Sequence, residues 1–392
     1  MPKEISMSVN LLFVVDSYNV GGTIVSLQSL LASLDTGRYS VDVYAVSDIG
    51  PFRDKLTNCR VLDANPWLAK SSAGLSAGNR LFYKFLQVSG NFTARWFHKD
   101  LRLRFVKHGC KLINSLNYDY VVCFSEQLVQ YVALFPARDR VTWIHCDYSR
   151  IVNDDNKNDL SNALEHYNQI VCVSGYARNE MLRIFPQFED KTIAIHNIVN
   201  EEYIRNRAKD RQGMDSRFVG QEYKIVSVGR LDPIKQFHLI PLFAEQVRRV
   251  LGPVFKWFII GGTHGYDEEY NLIANEIKDN QLEETVILLG EKENVYPYIQ
   301  DADLYVCTSK SESFPLVVNE AKALGIPIIS LFFPSVIESI KEGVDGHVVY
   351  AERLPYAIVE HYRNPQLKKH EGDSKEKTYI LGQIDKLFSN KH

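Results

Sequence analysis

The chain has 392 residues, 45% of them apolar, 24% charged and 11% aromatic, with a formal net charge of -3 from 45 Lys+Arg against 48 Asp+Glu. Such a composition excludes a disordered, collagen-like or disulfide-scaffold protein, and it lacks the overall basic excess that marks many nucleic-acid binders. The length suits two domains better than one.

Near the N-terminus, Lys3 precedes an apolar run at 11–15. This run is shorter than the roughly 7–15 residues of a signal peptide's apolar region and reads as a strand. No segment approaches the ~18 apolar residues of a spanning helix. A soluble or peripheral protein on the cytoplasmic side is expected. Cysteines stand at 59, 110, 123, 146, 172 and 307, without C-x-x-C spacing, and read as buried free thiols of a reducing compartment.

Short apolar runs predict strands at 11–15, 41–46, 120–124, 141–144, 170–173 and 192–195, then at 224–228, 255–260, 285–289, 304–308, 326–330 and 347–349. Each is followed by a polar or Gly-rich turn and a helix-period segment. Near-continuous apolar strands alternating with helices indicate parallel sheets covered on both faces. The strands fall into two sets of six, divided by the polar stretch 197–222. Doubly wound sheets bind ligands at the carboxyl ends of their strands.

The first strand leads to Gly21-Gly22, where missing side chains let backbone approach a phosphate, although an ordinary turn has the same look. The segment 80–111 holds eight Lys/Arg against Asp100 alone, interleaved with Phe82, Tyr83, Phe85, Phe92, Trp96, Phe97 and Phe105. It reads either as an interfacial anchor for anionic lipid or as a core helix with a solvated basic face. His145 lies just past a strand end, where catalytic groups sit in such folds; a structural histidine is the competing reading.

After the boundary, the strand at 224–228 runs into Gly229, Arg230 and Lys235. Two fixed cations near a strand's carboxyl end can neutralise a leaving diphosphate in place of a metal ion, although an ordinary β-α turn with solvated basic residues has the same look. Asp301-Ala302-Asp303 matches the D-x-D of metal-dependent sugar-nucleotide enzymes but opens a strand, so capping or packing is expected for it and no metal site is assigned. The sharpest pattern is SKSESFPLVVNEAKALGIPII at 309–329: a strand, a polar turn, a helix, then the next strand. Glu312 lies at the helix entrance and Glu320 within the helix. A helix N-terminus suits a diphosphate, and a carboxylate can accept two hydrogen bonds from a vicinal diol. The P-loop and nucleophile-elbow motifs are absent.

Together these residues resemble the family 4 retaining glycosyltransferases of the GT-B fold, the glycosyl transferases group 1. The resemblance runs in order through the Gly21-Gly22 loop, WIHCDY, VSG at 173–175, HNIVN at 196–200, SVGRLDPIK, IIGG at 259–262, LGEKENVYPYIQDADLYVCTS and ESFPLVVNEA. It implies an α/β fold of two Rossmann-like domains facing a cleft. Residues 1–200 would form an acceptor-side domain, 201–355 a nucleotide-sugar domain, and 356–392 a helical tail packing back on the first.

Residue by residue, the resemblance gives Glu320 the ribose hydroxyls and Glu312 the donor sugar. The turn Ser313, Phe314, Pro315, Leu316 and Val317 would meet sugar and diphosphate, with the Phe314 and Leu316 N–H groups nearest. Arg230 and Lys235, beside Gly229, would hold the leaving diphosphate. Gly21 and Gly22 would approach the phosphates, His145 the sugar, and Gly290, Asn294 and Val295 the nucleobase. The usual small residue between Glu and Phe, often Gly, is Ser313 here. The implied activity is metal-independent, retaining transfer of a sugar from a nucleotide-diphosphate sugar, a substrate and not a cofactor. The acceptor would be a glycan or lipid-linked glycan in cell-surface polysaccharide (capsule, O-antigen or teichoic-type) synthesis. A peripheral location at the inner face of the cell membrane follows from the basic segment, and no nucleic-acid partner is expected. A nucleotide-sugar epimerase of the same fold and an inactive glycan-binding homologue are the competing readings.

Overall fold

The computed structural model describes residues 8–69, 75–97, 106–110, 113, 117–367 and 374–389. The chain divides into two compact units, 1–198 with 378–392, and 199–377.

The first unit carries strands β1 (Val9–Ser17), β2 (Tyr39–Ser47), β3 (Arg60–Val61), β4 (Tyr120–Cys123), β5 (Asp139–Ile144), β6 (Gln169–Cys172) and β7 (Thr192–Ala194). They form a seven-stranded sheet in the order β3-β2-β1-β4-β5-β6-β7, every pairing parallel. Leu11, Leu12, Phe13 and Val14 of β1 are each 0% exposed, as a central strand covered on both faces requires. Leu12 and Val14 point into one core with Tyr44, Val121, Cys123 and Ile144. Phe13 meets Phe124 edge-on at 5.6 Å between centroids. All six cysteines are free thiols.

The second unit carries β8 (Tyr223–Val228), β9 (Phe255–Ile260), β10 (Val286–Gly290), β11 (Leu304–Cys307), β12 (Ile328–Leu331) and β13 (Gly346–Val349), in the order β10-β9-β8-β11-β12-β13 and again parallel. The period-2 rule is visible in its two cores. Ile225, Trp257, Leu304, Val306 and Ile329 face one, covered by the helices Ile240–Leu251 and Leu354–Arg363. Val226, Phe258, Tyr305, Cys307 and Ile328 face the other, beneath the helix Leu316–Ala323. Burial of each such side chain contributes about 1.5–3 kcal/mol. A polar relay also crosses this sheet. Trp257 donates to Ser227 Oγ at 3.0 Å, and that hydroxyl donates to the Val306 carbonyl at 2.6 Å, joining β9, β8 and β11.

Two expectations change. The first sheet has a seventh strand, β3, which is only the two residues Arg60 and Val61 long. An ion pair holds it: Arg60 Nε and Nη2 bond the Asp42 carboxylate at 2.9 and 2.5 Å, and the Tyr118 hydroxyl donates to Asp42 Oδ2 at 2.5 Å. The tail expected from residue 356 divides. The helix Leu354–Arg363 stays in the second unit, because Leu354, Ile358 and Val359 fill that core. The segment belonging to the first unit starts at 378, inside the helix Ser374–Leu387. There Phe388 stacks edge-on with Tyr120 at 5.2 Å, and the Tyr39 hydroxyl donates to Asp385 at 2.6 Å.

Candidate active site

In the second sheet, β9 and β10 lie to one side of β8 while β11, β12 and β13 lie to the other. The strand order reverses between β8 and β11, and their carboxyl ends open onto a crevice. β8 delivers Gly229, Arg230 and Lys235 to that edge; β11 delivers Thr308, Ser309 and Glu312.

The turn after β8 winds around a carboxylate the sequence reading missed. Asp232, 4% exposed, accepts from the backbone N–H of Ile234 at 3.0 Å and of Lys235 at 3.2 Å, and pairs with Arg230 Nη2 at 3.4 Å. The Arg230 side chain remains 62% exposed. Lys235 turns inward, and its ammonium reaches Glu312 Oε1 at 2.5 Å. Burial works against that ammonium, but Glu312 outweighs it, so the Lys235 pKa lies above the usual lysine value. Thr308 Oγ1 donates to the Lys235 carbonyl at 2.7 Å, and the Lys310 N–H to the Ile234 carbonyl at 2.8 Å, which tie the two strand ends together. Glu312 also accepts from Ser309 Oγ at 2.8 Å, and its carbonyl from Ser335 Oγ at 2.5 Å.

The helix Leu316–Ala323 starts immediately behind this pair. Pro315 precedes it and supplies no side-chain cap, so the first-turn N–H groups keep no capping side chain. Ser313 and Phe314 are buried, at 8% and 9% exposure. Val317, Pro315, Lys235, Glu312 and Ser309 line a small cavity. One turn into the helix, Glu320 is 8% exposed and accepts from the Tyr296 hydroxyl at 3.0 Å. Burial raises its pKa to about 7, against the opposing pull of Tyr296 and Lys235. Tyr296 is a second residue that the sequence reading passed over.

Close glycine packing sets the remaining turns. A Cβ on Gly261 would lie 1.8 Å from the Gly229 carbonyl oxygen, so no side chain fits there. Gly261 N–H donates to the Gly290 carbonyl at 3.0 Å, and Gly290 has a φ of +72°. Beyond it, Lys292 bonds Asp215 at 3.1 Å and Asn294 Nδ2 bonds the Arg207 carbonyl at 2.8 Å. Val295 packs against the core under the helix Leu316–Ala323. Gly229, Arg230, Lys235, Gly290, Asn294, Val295, Glu312, the turn 313–317 and Glu320 thus all belong to the second unit, at the carboxyl side of its sheet.

Asp301 and Asp303 belong elsewhere. Arg211 pairs with Asp301, and Asp303 accepts from the Lys224 N–H at 2.8 Å, at the amino ends of β8 and β11. Among the described residues, no three His, Cys, Asp or Glu gather as metal ligands.

Gly21, Gly22 and His145 belong to the first unit. Gly21 caps the helix Gly22–Leu31 with an extended backbone, and a Cβ built on it meets nothing within 4 Å. His145 directly follows β5, beside Phe124, at 4.6 Å between ring centroids. Its Nε2 is buried and has no hydrogen-bond partner, and burial pulls its pKa down to about 3, so the ring is neutral. Beneath it, Glu126, 6% exposed, accepts from the His145 N–H at 3.4 Å, with its pKa raised by burial. Glu126 was also absent from the sequence reading, because one acid after a strand has no distinguishing pattern.

Residues 209–364 match the family model of the glycosyl transferases group 1. The second-unit candidate site residues, from Gly229 to Glu320, all lie within that span. The chain is similar to N-acetyl-alpha-D-glucosaminyl L-malate synthase of Bacillus anthracis, 24% identical over 53% of this chain and 53% of that one. It is also similar to poly(glycerol-phosphate) alpha-glucosyltransferase of Bacillus subtilis, 30% identical over 36% of this chain and 20% of that one. The chain spans about half or less of the length of these curated relatives. Among solved structures, Anabaena HepE in complex with UDP-glucose superposes with a TM-score of 0.71 at 18% identity, over 97% of this chain and 99% of that one. S. aureus TarM in complex with UDP and a GlcNAc-glycerol gives 0.68 at 14%, over 97% and 100%. The fold is that of the GT-B glycosyltransferases.

Proposed function

We propose that the protein is a metal-independent, retaining glycosyltransferase that moves a sugar from a nucleotide-diphosphate donor to a glycan or lipid-linked glycan of the cell surface. The observation that carries this reading is the Lys235–Glu312 pair, set against an uncapped helix N-terminus, with the buried Glu320 one helical stretch further on. Similarity to a glucosyltransferase acting on poly(glycerol-phosphate) supports the acceptor class.

In this reading Glu320 accepts from the ribose hydroxyls, and Gly290, Asn294 and Val295 border the base. Arg230, Lys235 and the Phe314 and Leu316 N–H groups hold the diphosphate. The bond from the anomeric carbon to the phosphate oxygen breaks, and its electron pair stays on the diphosphate. The acceptor oxygen bonds the same face of that carbon, and its proton passes to the departing phosphate oxygen. Glu312 keeps Lys235 aimed and faces the sugar. Two cations perform the charge neutralisation a metal would otherwise supply, so no resident cofactor or metal is invoked.

Arg230→Ala and Glu320→Ala are the direct test, assayed for transfer from UDP-, GDP- and ADP-sugars with a chelator present. Loss of a preorganised charge at the leaving group lowers kcat by about 10²–10³-fold. Full activity in both variants would remove the site assignment.

Membrane contact at the inner face of the cell membrane is part of the same proposal. The segment 80–111 is described in part; residues 98–105 and 111 lie outside the described residues. In the helix Ala77–Phe97, Leu81, Phe85 and Val88 are 73%, 65% and 68% exposed at helical spacing, beside the exposed Arg80 and Lys84. No described helix is long and apolar enough to cross a membrane. Co-sedimentation with anionic vesicles should fall at least about fivefold for Phe85→Ser with Lys84→Glu, while equal binding to neutral vesicles would contradict the assignment.

A further inference from the structure

We propose that Tyr296 is a second residue of ribose recognition, fixing the Glu320 carboxylate so that the site selects ribonucleoside over deoxyribonucleoside diphosphates. This rests on the nucleotide-sugar reading and adds to it a residue and a substrate class.

A carboxylate has two oxygens and about four lone-pair directions. Tyr296 donates to Oε1 of Glu320 at 3.0 Å, so one oxygen is already held and the plane of the group is set. Oε2 is left for an incoming hydroxyl, with the second lone pair of Oε1 beside it. A 2′,3′-diol uses both positions; a deoxyribose offers one hydroxyl and leaves a buried acceptor unpaired. Buried sites that are built to bond a hydroxyl reject the analogue lacking it.

The phenol is itself held in place. Tyr296 opens the short helix Tyr296–Gln300, with Pro297 in its first turn, directly after the loop that carries Gly290 and Asn294. Tyr203 meets its ring edge-on, with centroids 6.4 Å apart and planes at 86°. Part of the ring packs on the core beneath the helix Leu316–Ala323, which also carries Glu320. The base-side loop and the ribose carboxylate are thereby joined by one hydrogen bond between residues 24 apart.

The test measures the affinity of the full chain for UDP and 2′-deoxy-UDP by calorimetry, repeated with the ADP and GDP pairs. It uses wild type, Tyr296→Phe and Glu320→Gln, with each variant's melting temperature checked without ligand. Wild type should prefer the ribonucleotide at least tenfold. Tyr296→Phe, which removes only the hydroxyl, should weaken the ribonucleotide about tenfold, leave the deoxyribonucleotide nearly unchanged and reduce the preference to threefold or less. An unchanged preference in Tyr296→Phe beside a reduced one in Glu320→Gln overturns the role of Tyr296 and leaves the nucleotide site standing. Unchanged preferences in both variants overturn the inference together with the assignment of Glu320 to the ribose, whereas no binding of any of the three ribonucleotides to wild type overturns the nucleotide reading itself.

Discussion

Arg230 and Lys235 sit five residues apart on one turn, yet they are cations in different situations. Lys235 is neutralised at rest by Glu312, whereas Arg230 keeps most of its guanidinium in solvent. In the proposed reading, an incoming diphosphate would gain more from Arg230 on first contact, and Lys235 would contribute once the negative charge competes with Glu312. Glu320 poses a different problem, because its carboxyl is buried and titrates at about 7. Unfolded, a glutamate loses its proton near 4.3. Between those values the folded state holds a proton that the unfolded state has lost, so this group's contribution to stability declines as pH rises through the window. Ribose hydroxyls favour the anion, so nucleotide affinity should climb between pH 6 and 8, by at most about tenfold per unit below the pKa. Kd measured across that range should lose its slope in Glu320→Gln; an equal slope in both proteins would place the titration elsewhere. Glu312, Lys235 and Glu320 could be picked out from residue order because a strand, a turn and a helix fix their spacing. Asp232, Tyr296 and Glu126 could not. Tyr296 and Glu126 act on partners 24 and 19 residues away, and Asp232 acts by holding backbone N–H groups. No periodicity records such bonds.

At the scale of elements, the carboxyl edge of the second sheet depends on backbone touching backbone. The Gly229 N–H donates to the Ile260 carbonyl, the Leu231 N–H to Gly262 and the Gly261 N–H to Gly290, all at 3.0 Å. The turns after β8, β9 and β10 thus form one laced surface, and Gly261 is its tightest point. Gly261→Ala would set a methyl against the Gly229 carbonyl, which cannot move without displacing Arg230. Destabilisation of about 2 kcal/mol or more is expected, in the range of an overpacked site. Denaturant midpoints measure it, and a loss under about 0.5 kcal/mol would show that the turns yield freely. The pair of glycines at 261 and 262 is plain in the sequence, but the reason for the first is not, because its contact is with a different turn. Strand β3 shows the complementary limit. Its two residues carry no alternation to detect, and the Asp42 ion pair that holds it joins residues 18 apart.

Over the whole molecule, the chain leaves its first unit at 198, builds the second, and contributes 378–392 to the first again. That last segment brings Ile380, Ile384, Leu387 and Phe388, each 5% exposed or less. At about 1.5–3 kcal/mol for each side chain, its burial is worth at least about 6 kcal/mol, comparable to the margin of an entire domain. Truncation after Lys377 should lower the melting transition of the first unit by more than about 10 °C and leave that of the second unchanged. A single unshifted transition in calorimetry would show that the segment is dispensable.

The net charge of -3 excluded little, but the order of apolar runs, glycines and acids determined a great deal by itself. It determined two parallel α/β sheets, the carboxyl-edge residues Arg230, Lys235, Glu312 and Glu320, and the family to be tested. These are consequences of local periodicity and of turn chemistry, both of which are written into neighbouring residues. Tertiary structure alone decided which strands sit side by side, and hence that β8 and β11 share the crevice. It alone decided that Lys235 is held by Glu312 and Glu320 by Tyr296, that Gly261 is packed on Gly229, and that the tail divides between the units. Each of these is a contact between residues distant in sequence, made only when the sheets close and water is excluded.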